Sequence, residues 1–249
     1  MGMTGGKDAS VLRLEGIYKS FGGLQVLTDV SFSVEREEIK GLIGPNGAGK
    51  TTLFNIITSL YRPDKGDVYL FDKRITGLPP HRICHMGISR TFQITRAFLE
   101  MTVMENVLIS AIYGHRSGKG SPGERAHEAL EIVGLSEKRD TRVSQINLSE
   151  RRLLEVAMAL ASMPLMILLD EPMAGLNPSE TQNLLKVIRR TREERGISIL
   201  WIEHKVDAVF DFCDTIVVLD HGVKIADGKP EEVARDKKVI EAYLGEPVS

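Results

Sequence analysis

Gly44-Pro45-Asn46-Gly47-Ala48-Gly49-Lys50-Thr51-Thr52 fits the pattern G-x-x-x-x-G-K-[ST], and its flanks supply the setting that the pattern needs. Before it, Ile39-Lys40-Gly41-Leu42-Ile43 reads as a short strand, and after it Leu53-Phe54-Asn55-Ile56-Ile57 begins an apolar helix. Glycines let the backbone curl so that successive N–H groups face an anion. The helix behind them adds a dipole worth roughly half a positive charge. In such a loop Lys50 reaches the β- and γ-phosphates of a nucleoside triphosphate, and the Thr51 hydroxyl binds Mg²⁺. The whole run from Gly44 through Pro45, Asn46, Gly47, Ala48, Gly49, Lys50 and Thr51 to Thr52 is therefore the expected phosphate site.

Around this loop the chain has the size and balance of a soluble globular protein. Its 249 residues suit one or two domains with a sizeable core, at 42% hydrophobic and 27% charged content. A formal net charge of −2 argues against bulk affinity for nucleic acid. Two cysteines, Cys84 and Cys213, make no disulfide framework and point to a reducing compartment. Residues 1–9 are polar and Gly-rich, read as a disordered tail or a remnant of expression. The longest apolar runs, such as Pro164–Leu169, fall far short of the about 18 residues that a membrane span requires. Any tie to a membrane is expected to run through partners.

Working outward, Val11 to about Val34 alternates apolar and polar side chains around a Gly22-Gly23 turn, which predicts an antiparallel β unit. Asp67–Asp72 is a further short strand. From about 97 to about 162 the pattern is helical, with Val103–Tyr113 and Glu124–Val133 separated by a loosely built loop. Strand and helix then alternate: strand Met166–Leu169, helix from Pro178, strand Ile197–Ile202, helix from Lys205, strand Thr215–Leu219. The fold class that follows is α/β, a P-loop core with a β-rich edge and a helical insertion.

Met166-Ile167-Leu168-Leu169-Asp170-Glu171 carries the second signal. Four apolar residues make a buried strand, and two carboxylates stand at its C-terminal edge, where ligands bind in α/β sheets. Asp170 is expected to hold Mg²⁺ through water. Glu171 is expected to orient or deprotonate the water that attacks the γ-phosphate. Gln93 ends a short strand at the start of the helical insertion and offers a neutral amide to Mg²⁺ or the attacking water. His204, at the end of strand Ile197–Ile202, is placed to hydrogen-bond the γ-phosphate. Alone, neither Gln93 nor His204 says much; their order along the chain gives them meaning.

That order resembles the nucleotide-binding cassette of ABC transporters: phosphate loop, Q-loop at Gln93, helical insertion, Asp170-Glu171, then His204. The resemblance covers residues 10–249, with the helical subdomain at about 97–162. It implies ATP and Mg²⁺ as ligands and ATP hydrolysis coupled to transport. Phe21 falls where these cassettes place an aromatic ring against the base. In detail, Arg90-Thr91-Phe92-Gln93, Met101–Val107, Ala174-Gly175-Leu176-Asn177-Pro178 and Tyr243-Leu244-Gly245-Glu246 are similar to cassettes of branched-chain amino-acid importers. Such a cassette works with a second cassette, with transmembrane permease subunits and, indirectly, with a solute-binding protein, at the cytoplasmic side of the cell membrane. Alternatives under the same motifs are a regulatory or assembly subunit with little or no hydrolysis, and a soluble non-transport ATPase.

The resemblance breaks at the signature. Where these cassettes carry Leu-Ser-Gly-Gly-Gln, an ungapped match places Ile146-Asn147-Leu148-Ser149-Glu150. Matching Leu148-Ser149 instead deletes two residues, which turns a helix face by about 200°. Asn147 thus replaces the serine, no glycine remains, and the partner cassette is expected to be a different chain. Asn177 likewise stands where many cassettes have Asp. His81, Cys84 and His85 share a helix face but lack a fourth metal ligand.

Overall fold

A computed structural model of the chain describes residues 10–91, 97–114 and 120–244. Contacts divide it into two units. The first runs to Pro80 and resumes at Ser198, and the second is His81–Ile197.

The first unit holds two sheets. One has the order β2-β1-β4-β5, from β1 (Ser10–Phe21), β2 (Leu24–Glu35), β4 (Lys65–Leu70) and β5 (Lys73–Arg74). Between them in the chain lie β3 (Ile39–Ile43) and α1 (Lys50–Ile57). β1 and β2 are antiparallel and turn at Gly22-Gly23, with Phe21 opposite Leu24. Both glycines have positive φ, 54° and 87°, as a two-residue hairpin turn demands. The alternation read from the sequence buries Leu12, Leu14, Ile17, Val30 and Val34.

In the second sheet β3 is central. It pairs in parallel with β8 (Ser198–Ile202) and β9 (Thr215–Asp220), and β9 pairs antiparallel with β10 (Val223–Gly228). β3 and β8 are buried at every residue, and apart from Lys40 and Ser198 they read as apolar runs rather than alternating ones. Helix α7 (Val206–Phe212) packs against β3 at Gly41, where an added Cβ would lie 2.4 Å from Val209 Cγ1 and 3.2 Å from the Cys213 sulfur. Trp201 is fully buried and meets Phe212 edge-on at 5.4 Å. Helices α8 (Pro230–Val233) and α9 (Lys237–Leu244) complete the unit.

The second unit contains α2 (Pro80–His85), the parallel pair β6 (Ile88–Arg90) and β7 (Met166–Asp170), and helices α3 (Val103–Tyr113), α4 (Pro122–Val133), α5 (Leu148–Ala161) and α6 (Pro178–Arg195). Four of these helices start alike. Thr102, Ser121, Asn147 and Asn177 each cap the first turn and exchange hydrogen bonds with a glutamate three residues on, at 105, 124, 150 and 180. The arginines at 189 and 190 are exposed, as a solvated helix face requires, while Leu184, Val187 and Ile188 are buried. Among the described residues no group of three metal-ligating side chains occurs, and both cysteines are free thiols. Among the described residues no helix is long and apolar enough to cross a membrane.

Candidate nucleotide site

The phosphate loop leaves the C-terminal edge of β3. Gly44 adopts φ 151°, and a Cβ there would lie 2.0 Å from the Leu219 carbonyl oxygen of β9. Gly47 and Gly49 follow with φ 83° and 98°. A Cβ on Gly49 would sit 2.6 Å from Leu27 Cδ2 and 3.0 Å from the Val26 carbonyl oxygen of β2. The turn β9–β10 presses on the same place, since a Cβ on Gly222 would lie 2.2 Å from that Val26 oxygen. The glycine spacing of the motif is thus a steric requirement at both ends of the loop.

Gly49 caps α1 with no side-chain hydrogen bond. The first-turn amides of α1 are therefore not taken by a capping side chain, the condition under which a helix start receives an anion. Lys50 is buried at 6% exposure, and its ammonium donates to the carbonyl oxygens of Gly44 (2.7 Å) and Pro45 (3.0 Å). Those bonds arch the lysine over the loop. Thr51 is exposed at the first turn of α1, with its hydroxyl a hard oxygen donor of the kind Mg²⁺ takes.

Strand register places His204 beside this loop. Leu42 faces Ile202 across the parallel β3–β8 pair, so Gly44 and His204 both lie just beyond the same edge. His204 is exposed, and its backbone N–H donates to the carboxylate of buried Glu203 at 3.0 Å. Phe21 ends β1 with 41% of its surface exposed. Phe21, the loop 44–52 and His204 all belong to the first unit.

Asp170 and Glu171 belong to the second. Asp170 ends β7 and is 3% exposed. Its Oδ2 accepts from the Arg90 guanidinium at 2.8 Å, and its backbone N–H donates to the Thr91 hydroxyl at 3.2 Å. The Thr91 N–H donates to Leu168 O at 2.9 Å, so the end of β6 is fastened to the end of β7. Arg90 is as buried as its partner, and the ion pair fixes the orientation of the carboxylate. Sequence reading had no role for Arg90 or Thr91. Only the β6–β7 pairing brings them to Asp170 from 80 residues away. Glu171 is half-buried with φ 49°, a left-handed conformation that is uncommon for a residue with a side chain. Gln93 lies outside the described residues.

The segment in the place of the signature is the start of α5. Asn147 Oδ1 accepts from the Glu150 N–H at 2.9 Å, and the Asn147 N–H donates to Glu150 Oε2 at 3.0 Å. Leu148 leans on the loop after β7, where a Cβ on Gly175 (φ 80°) would lie 2.8 Å from Leu148 Cδ2. Asn177 is used in the same way, as its Oδ1 accepts from the Glu180 N–H at 3.0 Å and from the Ser179 hydroxyl at 2.8 Å.

A glycine loop between a buried parallel strand and an uncapped helix, with a buried strand ending in Asp-Glu, defines a P-loop ATPase cassette. A family model described as ABC transporter matches residues 27–174, and one described as branched-chain amino acid ATP-binding cassette transporter matches residues 223–249. The chain is 39% identical over 250 residues to the high-affinity branched-chain amino acid transport ATP-binding protein LivG of Salmonella typhimurium, covering 95% of this chain and 98% of that one. It is 39% identical over 251 residues to BraF of Pseudomonas aeruginosa, a protein of the same description, with the same coverage. Among solved structures, a nucleotide-free ATP-binding cassette from an ABC transporter superposes with a TM-score of 0.86 at 36% identity, covering 95% of this chain and 100% of that one. A cassette in its ADP conformation gives 0.86 at 36%, with 95% and 99% covered. The chain belongs to the ABC transporter family of ATP-binding cassettes, the ATPase subunits of transporters.

Proposed function

We propose that this chain binds and hydrolyses ATP for an importer of branched-chain amino acids, energising a separate permease. The observation that carries the reading is the phosphate loop: three glycines at positive φ, two of them with no room for a Cβ, ahead of a helix with no side-chain cap. The solute is carried by the likeness to LivG and BraF over 95% of the chain. Residues 10–249 form the cassette, with a helical subdomain at about 97–162. It sits peripherally on the cytoplasmic side of the cell membrane, held there by its partners.

In this reading the amides of Gly47–Thr52 and the Lys50 ammonium take the phosphates, and Phe21 stacks on the base. Thr51, Asp170 and Gln93 present oxygen to Mg²⁺, and the hydroxyl and carboxylate of the first two suit a hard cation. Mg²⁺ supplies charge neutralisation across the β- and γ-phosphates when bound. Glu171, left-handed in its backbone at φ 49°, positions the attacking water and receives its proton. His204 and Gln93 report the γ-phosphate to the rest of the protein.

A cassette site is completed by a second cassette, and here the reading is asymmetric. This chain's loop is complete, whereas its α5 start spends Asn147 and Glu150 on each other. The partner cassette is therefore a different chain with an intact signature. ATP in this chain's loop is hydrolysed against that signature, while ATP facing Asn147–Glu150 turns over slowly.

Glu171→Gln tests the chemistry: ATP binding persists and hydrolysis falls about 10²–10⁴-fold. Unchanged phosphate release removes Glu171 as the base. Purification of the tagged chain from its native membrane tests the setting, with a permease and a second, non-identical cassette as the expected companions. Recovery of the chain without a permease overturns the transport assignment.

A further inference from the structure

Phe21 is not alone at the end of β1. Tyr61, in the loop between α1 and β4, meets it edge-on with ring centroids 5.2 Å apart and planes at 69°. Both rings are 41% exposed. The Lys19 ammonium lies over the Phe21 ring, 5.2 Å from its centroid, and is only 2.8 Å from Asp64 Oδ1. Asp64 Oδ2 accepts from the Ser20 N–H at 2.7 Å and the Ser20 hydroxyl at 2.8 Å, and the Asp64 N–H donates to Tyr18 O at 2.8 Å. The Lys19 ammonium and the two Ser20 donors hold the Asp64 carboxyl well below its usual range, at about 2, so it stays charged at any working pH. The Tyr61 N–H donates to Asn55 O in α1 at 3.0 Å, which ties the second ring to the helix of the phosphate loop.

Two half-open rings at a fixed angle, with a cation over one of them, form a surface for a flat, electron-rich ligand. We propose that Tyr61 is a second element of the base site and discriminates purine from pyrimidine nucleotides, with Asp64 and Lys19 as positioning residues that fix Phe21 for it. This rests on the reading of Phe21 as the base platform. The physical argument is one of area. A bicyclic purine stacked on Phe21 extends to a neighbouring ring, whereas a single pyrimidine ring is satisfied by Phe21 alone. The Asp64 fixture adds preorganisation, because it pins the last turn of β1 before the two glycines.

The test is calorimetric titration of the full chain and its variants with ATP, CTP and inorganic tripolyphosphate. Tyr61→Ala is expected to weaken ATP by about 2- to 12-fold, the range of an aromatic pair, and to leave CTP and tripolyphosphate within about twofold. Tyr61→Phe is expected to bind ATP as the parent does. Asp64→Asn is expected to weaken ATP by about twofold with tripolyphosphate unchanged, as for an exposed ion pair. Phe21→Ala separates the two levels of the argument. If Phe21→Ala weakens ATP and Tyr61→Ala does not, the inference fails while the platform stands. If Phe21→Ala leaves ATP binding unchanged, the platform itself fails. If Tyr61→Ala weakens tripolyphosphate as much as ATP, Tyr61 acts on the phosphate loop through α1 and the inference is overturned.

Discussion

Helices α1 and α5 begin in opposite ways. α1 starts at a glycine with φ 98° that offers no side-chain cap, and α5 starts at Asn147, which exchanges hydrogen bonds with Glu150. Every helix start leaves N–H groups without intrahelical partners, so each must be satisfied by side chains, water or a ligand. At α5 the chain itself satisfies two of them, the N–H groups of Asn147 and Glu150, and the same pair of positions is satisfied at α3, α4 and α6. At α1 no side chain caps the first turn. A helix start proposed to receive an anion and one that caps itself thus differ by a few side-chain oxygens. Asn147-Leu148-Ser149-Glu150 is better described as a sound cap than as a damaged signature.

The largest effect should come from breaking the α1 side. Lys50→Ala is expected to weaken ATP about 100-fold or more, since hydrogen bonds from a charged donor each contribute roughly 1.5–3 kcal/mol. Binding within a fewfold of the parent would mean that the uncapped helix start, rather than the lysine, holds the phosphates. Converting α5 toward α1 sharpens the comparison from the other end. Ile146→Leu, Asn147→Ser, Leu148→Gly, Ser149→Gly and Glu150→Gln together are expected to raise ATPase activity of the chain's homodimer by about tenfold or more, because preorganised donors are restored opposite the γ-phosphate. No gain, either there or in the assembled transporter, would count against the asymmetric dimer.

Smaller effects probe stability. Asn147→Ala removes the cap and is expected to lower stability by about 1 kcal/mol, a melting shift of roughly 2–4 °C for a chain of this size. A shift within error would show that the Asn147–Glu150 exchange contributes nothing in solution. The smallest effect is a change of slope. Asp64 titrates near 3.8 when unfolded and at about 2 when folded, because Lys19 and Ser20 donate to it. A carboxyl with a depressed folded value gives stability that is present above pH 4 and lost as pH falls toward 2. Asp64→Asn should flatten acid unfolding across that window, followed by circular dichroism. An unchanged slope would place the loss of stability elsewhere.

Much of the fold was legible because its signals are local. β3 and α3 are found with the expected bounds, and β1, β2 and α4 within a few residues, since alternation, helical period and glycine turns act over short windows. β10 escaped notice because Lys224 and Asp227 break its apolar pattern at the sheet edge, and β5 is only two residues long. The candidate site was legible where one motif carries its own context, as in Gly44–Thr52. It was opaque where a role depends on pairing. Nothing near Arg90 in the sequence says that its guanidinium reaches Asp170 across the β6–β7 pair. The cap at Asn147 is the intermediate case. Its pattern stands in the sequence as plainly as those at Thr102 and Ser121, but a resemblance to another motif hid it.

Val26 has a consequence for how this protein can change over generations. Its carbonyl oxygen stands 3.0 Å from where a Cβ on Gly49 would be and 2.2 Å from where one on Gly222 would be. The Thr28 N–H, from the same strand, is donated to Gly222 O at 2.8 Å. Positions 49 and 222 are far apart in the chain, yet one short piece of β2 forbids a side chain at either. They form a single genetic locus in all but sequence. A shift of β2 that made room at one would loosen the other.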